Sequence, residues 1–137
     1  MIRDGFDLMD FVRINEMLAK SHWCPGIQKA ETIQGAKNSA LLLGAFTPDN
    51  VQISYARVIS DKTRFAYILD VIVDERYRKQ GIGRAMIRYI LNHPDLMDVY
   101  QWLLVTKDAH GVYKKAGFRV ISRPDDWMEI MKLRPVR

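Results

Sequence analysis

Cysteine is almost missing from this sequence: Cys24 is the only one among 137 residues. That excludes an intrachain disulfide and any cysteine-based zinc site. Histidine is nearly as scarce, and His22, His93 and His110 show no metal-ligand spacing. No apolar run approaches the length of a membrane span, and the N-terminus does not have the form of a signal peptide. Internal repeats and low-complexity stretches are absent too. These absences predict a soluble, cytoplasmic protein without a metal or a membrane partner. The 137 residues, 48% of them hydrophobic, suffice for one core but not two, so a single domain over residues 1–137 is expected.

Charge is what the chain has in excess, with a formal net value of +5. The excess forms neither a tail nor a long basic helix face. Part of it clusters between Arg76 and Arg88, and the rest, such as Lys132, Arg134 and Arg137, reads as solvated surface. No zinc-finger, RNA-recognition or helix-turn-helix signature accompanies it, so no nucleic-acid partner is expected. The alternative, a basic nucleic-acid-binding module, would show a steep salt dependence of binding.

The pattern of apolar residues gives the order of elements. Ile2 to Phe6 is a short candidate strand. Asp7 can cap a helix reaching about Lys20, with Leu8, Phe11, Val12, Asn15 and Leu18 on one face. Ser21 to Gly26 breaks the pattern as a loop, and a second helix is predicted over Ile27 to Lys37. Strands follow at Ala40 to Phe46, Gln52 to Ser60 and Arg64 to Val73, joined by short polar turns that imply an antiparallel meander. The helix from Gly81 to about Asn92 carries an apolar stripe of Ile82, Ala85, Met86, Tyr89 and Ile90. A strand at Tyr100 to Thr106 then makes a parallel pair through a crossover. Asp108 can cap a short helix that Gly117 ends, and Phe118 to Ile121 and Trp127 to Leu133 are predicted as closing strands. The fold class is α/β (α+β): a mixed, mostly antiparallel sheet with helices on both faces and one parallel strand pair.

The stretch richest in chemistry is Tyr77-Arg78-Lys79-Gln80-Gly81-Ile82-Gly83-Arg84, between a strand and a helix. Glycines let a backbone approach a ligand closely, and a helix start offers unpaired N–H groups at a positive dipole end. Arg78, Lys79 and Arg84 add cationic side chains, which suits a multiply charged anion such as a pyrophosphate. The nucleotide P-loop spacing is absent. The dinucleotide pattern fails at its third glycine, where Met86 stands.

What fits is Arg-x-x-Gly-x-Gly from Arg78 to Gly83, preceded by Leu69-Asp70-Val71-Ile72-Val73 and followed by Ala109-x-x-Val112-Tyr113-x-x-Ala116-Gly117-Phe118. In this order the three blocks resemble the landmarks of the GNAT superfamily of N-acetyltransferases, over roughly residues 41 to 122. The resemblance implies acetyl-coenzyme A as co-substrate and a primary amine, on a small molecule or a peptide, as acceptor. It implies a monomer or a homodimer, and attack of the amine on the thioester in a ternary complex without a covalent acetyl-enzyme. The cofactor-binding residues it implies are Arg78, Lys79, Gln80, Gly81, Ile82, Gly83 and Arg84 for the pyrophosphate. Val71, Ile72 and Val73 would hold the pantetheine arm by their backbones, as an added strand. Thr106 stands where many relatives carry an asparagine on that arm, and Ala109 opens the next block.

Two residues are implied as catalytic. Tyr113 matches the tyrosine that protonates the departing thiolate. Asp70, the only charge in an apolar strand, is either a structural carboxylate or a group that orients the amine or passes its proton to water. Some relatives have a glutamate base at the position of Leu69, so a water relay is the expected route here. Trp23 and His22 lie on the loop that borders the acceptor pocket in this superfamily, though Trp23 could equally be a packing anchor. Cys24 reads as a small apolar residue with no activating context. A non-catalytic coenzyme A sensor with the same cradle is the rival reading.

Overall fold

The computed structural model describes residues 1–137. Five strands lie side by side in sequence order: β1 (Ile2–Asp4), β2 (Leu41–Ala45), β3 (Ser54–Ser60), β4 (Phe65–Val73) and β5 (Gln101–Leu103). The first four pair antiparallel, and β4 with β5 is parallel. Helices α1 (Phe11–Ala19) and α2 (Lys29–Lys37) cover one face, and α3 (Ile82–Leu91) covers the other. A short α4 (His110–Lys115) follows β5. This is the mixed, mostly antiparallel sheet with helices on both faces that the pattern predicts.

The hairpin turns have local causes. Asp61 Oδ1 accepts the backbone N–H groups of Thr63, Arg64 and Phe65 at 3.0, 2.8 and 3.2 Å, which bends the chain between β3 and β4. At the other hairpin Asn50 takes the left-handed conformation, φ 65°. Two cores result. Ile14, Met17 and Leu18 of α1 pack with Leu42, Tyr55 and Ile72. Met86, Ile87 and Ile90 of α3 pack with Leu43, Ala56, Val58, Ala66 and Ile68.

Several helix details differ from expectation. Asp7 does not cap α1, because Phe6–Leu8 forms a separate 3-10 turn. Asp10 caps it instead, its Oδ1 accepting Arg13 N–H at 3.2 Å, while buried Gln52 Oε1 takes Asp10 N–H at 2.8 Å. The later start rotates the buried face to Ile14, Met17 and Leu18, and leaves Leu8 and Val12 exposed. On α3 the stripe runs through Ile87 rather than exposed Ala85. Asp108 does not cap α4, whose N-cap residue Ala109 offers no side-chain cap; Thr106 Oγ1 accepts Ala109 N–H at 3.0 Å in the turn just before the helix. Gly117 does end the helix with positive φ, 104°.

The predicted closing strands are not formed. A 3-10 turn at Pro124–Asp126 lies between the two segments, and residues 128–137 make no backbone–backbone hydrogen bond. Strand propensity is realised only against a ladder partner, and β5 offers just three paired residues. The end of the tail is held by side chains: Arg134 Nη1 donates to the Trp23 carbonyl at 3.3 Å, and Arg137 Nη2 meets Glu31 at 2.6 Å.

A bulge in β4 positions the rest. Arg57 faces Leu69 and Tyr55 faces Ile72, so β4 holds one residue more than β3 between these pairs. The extra residue falls at Asp70, which takes φ 55°. Ahead of it Ala66 and Ile68 point to the α3 core, and after it Ile72 points to the α1–α2 core.

Candidate active site

The cradle begins where β4 ends. Asp74 N–H donates to Ile53 O at 2.8 Å, and the Asp74 carboxylate caps the turn Glu75–Tyr77 through Arg76 N–H at 2.9 Å. The same carboxylate binds the Arg76 guanidinium at 3.1 Å and that of Arg13 at 2.7 Å. These hydrogen bonds, that of the Arg76 side chain foremost, hold the Asp74 carboxyl well below the ordinary carboxylate range. Arg76 is therefore engaged by the fold. Arg78 turns back, its Nε donating to the Val73 carbonyl at 3.2 Å. Lys79, Arg84 and Arg88 are exposed and lie in no ion pair.

Lys79 and Gly81 take positive φ, 63° and 82°, to turn the chain into α3. The first intrahelical hydrogen bond reaches Gly81 O from Ala85 N at 2.9 Å, so the N–H groups of Ile82, Gly83 and Arg84 have no helical acceptor. Gly83 is the telling residue. A Cβ built there meets only Val73 Cγ2, at 3.9 Å, and its φ is not positive. Neither packing nor conformation demands glycine at this helical position, which costs up to about 1 kcal/mol relative to alanine. Open space, outward amide N–H groups and unpaired cations together fit a diphosphate.

Beside the cradle, β4 is half-paired. Its parallel register with β5 covers Phe65, Ala66 and Tyr67, opposite Gln101, Trp102 and Leu103, and stops there. From Ile68 to Val73 the strand keeps β3 on one side only. Val71 and Val73 are half-buried, and Ile72 is buried in the α1–α2 core. An extended ligand backbone could add to this unpaired edge.

Tyr113 of α4 lies edge-on to Phe118 at 5.9 Å. With Leu104, Thr106 and Phe118 it lines an apolar cleft of about 970 Å³. Burial alone pushes its phenol above the ordinary tyrosine value, with no charged or hydrogen-bonding group contributing. Thr106 and Ala109 are joined to each other at the start of α4, as described above.

On the other side, the loop between α1 and α2 reaches the bulge. Trp23 Nε1 donates to Asp70 Oδ1 at 3.1 Å, and Arg57 Nε donates to Asp70 Oδ2 at 2.7 Å. Arg57 continues to the Gly35 carbonyl at 3.2 Å and Ser39 Oγ at 3.3 Å, tying the bulge to the end of α2. Trp23 also packs on the α1–α2 core, and exposed His22 meets its ring edge-on at 5.0 Å. Tyr55, opposite Ile72, is fully buried and its hydroxyl has no partner, so burial drives its phenol far up.

The structure thus joins Trp23 to Asp70 and carries the chain from there through Val71 to Val73 into the turn at Arg78 to Arg84, while Tyr113 lines the separate cleft beside β5. Arg57 is the residue that the sequence reading left out. Its signal was available: β3 and β4 each carry one internal charge, of opposite sign, on strands joined by a short hairpin.

Residues 45–120, more than half of the chain, match the acetyltransferase (GNAT) domain family. A solved structure from Xanthomonas campestris pv. campestris, assigned as a GNAT-family acetyltransferase, is 32% identical, with TM-score 0.86 over 96% of this chain and 94% of that one. A Staphylococcus aureus protein of unknown function shares the fold at 21% identity, TM-score 0.75, over 97% of this chain and 100% of that one. So does a Clostridium acetobutylicum protein whose structure contains acetyl-CoA, at 20% identity, TM-score 0.70 and 96% of each chain. No curated protein matches the sequence. With the half-paired β4, the glycine turn and the flanking helix all inside the matched residues, this chain belongs to the GNAT acetyltransferase family.

Proposed function

We propose that residues 1–137 form one catalytic domain that transfers an acetyl group from acetyl-coenzyme A to a primary amine, by direct attack within a ternary complex. The observation that carries this reading is Gly83, a helical glycine with open space beside it and unpaired cations around it. The N–H groups of Ile82, Gly83 and Arg84, with Lys79, Arg78 and Arg84 side chains, hold the diphosphate, and Gln80 and Gly81 shape the turn. Arg78 must exchange its bond to the Val73 carbonyl for a phosphate oxygen, which frees that carbonyl for the pantetheine arm. Val71 and Val73 bind the arm by their backbones, with Ile72 anchoring the strand in the core. Thr106 and Ala109 border the arm from the β5 side.

The amine enters past Trp23 and His22. Its attack forms a C–N bond and breaks the C–S bond. A backbone N–H of the bulge, at or next to Val71, polarises the thioester carbonyl. Asp70 acts here through position: Arg57 and Trp23 occupy its oxygens, so it fixes the bulge, and the amine gives its surplus proton to water. The thiolate takes a proton from the Tyr113 hydroxyl, which solvent replaces. Unperturbed values of about 10 for tyrosine and 8.5 for a thiol make that step uphill by roughly 2 kcal/mol. Burial raises the tyrosine further, but the same apolar wall raises the proton affinity of a desolvated thiolate. Proximity supplies most of the acceleration.

A panel of small-molecule and peptide amines, followed by release of free coenzyme A thiol, tests the proposal. Amine-dependent thiol release is expected. Binding of acetyl-coenzyme A without turnover of any amine would replace this reading by the sensor.

A further inference from the structure

We propose that Tyr55 is a positioning residue for the transfer, whose hydroxyl takes over the Asp70 oxygen that Trp23 gives up when an acceptor enters, a step that rests on entry of the amine past Trp23. Tyr55 is 0% exposed, and its hydroxyl is buried without a hydrogen-bond partner. An unpaired buried hydroxyl opposes folding, and phenylalanine would fill the same space without that penalty. The resting fold therefore has no use for this oxygen.

The surroundings of Tyr55 supply a partner. Tyr55 stands opposite Ile72, so Asp70, two positions before Ile72, occupies the diagonal place that an aromatic side chain can span. Tyr55 and Ile72 both face the α1–α2 core, on which Trp23 also packs. Arg57, two residues beyond Tyr55 on β3, reaches the Gly35 carbonyl in α2 and so shares this face. Burial drives the Tyr55 phenol far above the ordinary tyrosine value, and Arg57 and Asp70 are the two charges that act on it. The phenol thus keeps its proton and is available as a donor.

Asp70 is the group in need of one. Its side chain is 14% exposed, with Arg57 Nε on Oδ2 at 2.7 Å and Trp23 Nε1 on Oδ1 at 3.1 Å. These two bonds brace a residue held at φ 55°, a conformation unfavourable for aspartate. An acceptor that displaces the indole would leave Oδ1 bare and loosen the bulge, just when its N–H is wanted at the thioester. The Tyr55 hydroxyl can take Oδ1 without giving up a bond of its own. A donor already paired at rest would gain nothing by the exchange.

Thermal melts of four proteins test the exchange without any acceptor: wild type, Tyr55→Phe, Trp23→Phe and the double variant. Trp23→Phe removes the resting donor from Oδ1 and keeps an aromatic ring on the core. Tyr55→Phe alone should melt no lower than the wild type. Trp23→Phe alone should lose about 2 °C or less, because the hydroxyl replaces the indole. In the Tyr55→Phe background the same change should lose roughly 6 °C or more, as expected for a hydrogen bond to a largely buried carboxylate. Kinetics with whichever amine of the panel turns over give a second readout. Tyr55→Phe should lower kcat roughly 10-fold and leave the acetyl-coenzyme A KM unchanged, which a packing role would not do. Additive losses in the melts alongside normal turnover by Tyr55→Phe would overturn the exchange and leave the transfer reading intact. Absence of turnover with every amine would refute the transfer reading, and the role of Tyr55 with it.

Discussion

Replacing Gly83 by alanine separates the needs of the fold from those of a ligand. The added Cβ meets Val73 Cγ2 at 3.9 Å, ordinary van der Waals contact, and nothing closer. No strain opposes the change, and the helical position should gain up to about 1 kcal/mol. In a domain of this size that raises the free protein's melting temperature by roughly 4 °C. Ligand binding should move the other way. A methyl group where a diphosphate approaches the backbone weakens one charge-assisted hydrogen bond, worth about 2 kcal/mol, or roughly 30-fold in affinity. With acetyl-coenzyme A at 100 times the wild-type Kd, binding stabilises the wild type by about 2.7 kcal/mol; at 30-fold weaker affinity about 0.9 kcal/mol remains. The assay is a pair of thermal melts, with and without acetyl-coenzyme A, on both proteins. The expected result is a variant that is more stable alone and less responsive to ligand. An unchanged ligand shift would refute the placement of the diphosphate. A less stable free variant would show that the glycine serves the fold.

Tyr113→Phe keeps the ring against Phe118 and removes the hydroxyl, so single-turnover rates should fall by roughly 10²-fold with acetyl-coenzyme A affinity unchanged; an unchanged rate would assign the proton to water. Trp23→Phe keeps the packing on the α1–α2 core and deletes the N–H that reaches Asp70. Two-substrate kinetics should show a raised acceptor KM and an unaltered acetyl-coenzyme A term, and equal losses on both sides would make Trp23 a packing residue only. Acid should destabilise the protein through Asp74, whose folded pKa is depressed chiefly by its bond to the Arg76 side chain. Stabilisation of that sign is present above the unfolded value near 3.9 and is lost as pH falls. Melts below about pH 4 should therefore drop less steeply for Asp74→Asn than for the wild type.

The parts of the fold legible in the sequence are those with strong periodicity or distinctive turns. The apolar run of β4, the α3 stripe and the glycine turn between them were placed within a residue or two, because local pattern and tertiary burial agree there. The C-terminal strands were misplaced because Met128 to Leu133 have strand propensity but no ladder partner within the chain, and propensity cannot report a partner. The caps at Asp7 and Asp108 failed for a similar reason: Gln52 decides where α1 begins and Thr106 ties the turn just before α4, and Gln52 is more than forty residues from its contact. At the site, Gly81, Gly83 and the cations could be read from spacing. For the brace, the opposite charges of Arg57 and Asp70 gave a signal for that pair, but the Trp23 bond depends on the one inserted residue, which spacing does not report.

An alternating strand behaves like a two-state reading frame, and Asp70 is the single insertion that changes frame midway along β4. Length and identity at this position consequently answer to different demands. Substituting Asp70 alters only how the insertion is braced. Deleting it would restore strict alternation with Val71 still toward α3 and Ile72 still in the α1–α2 core, and would remove the bulge together with the carboxylate that Arg57 and Trp23 hold. Sequences that build a cleft in this way can therefore vary the residue at 70 with some freedom, but losing it erases the bulge, and drawing it into the ladder would turn Ile72 away from the α1–α2 core.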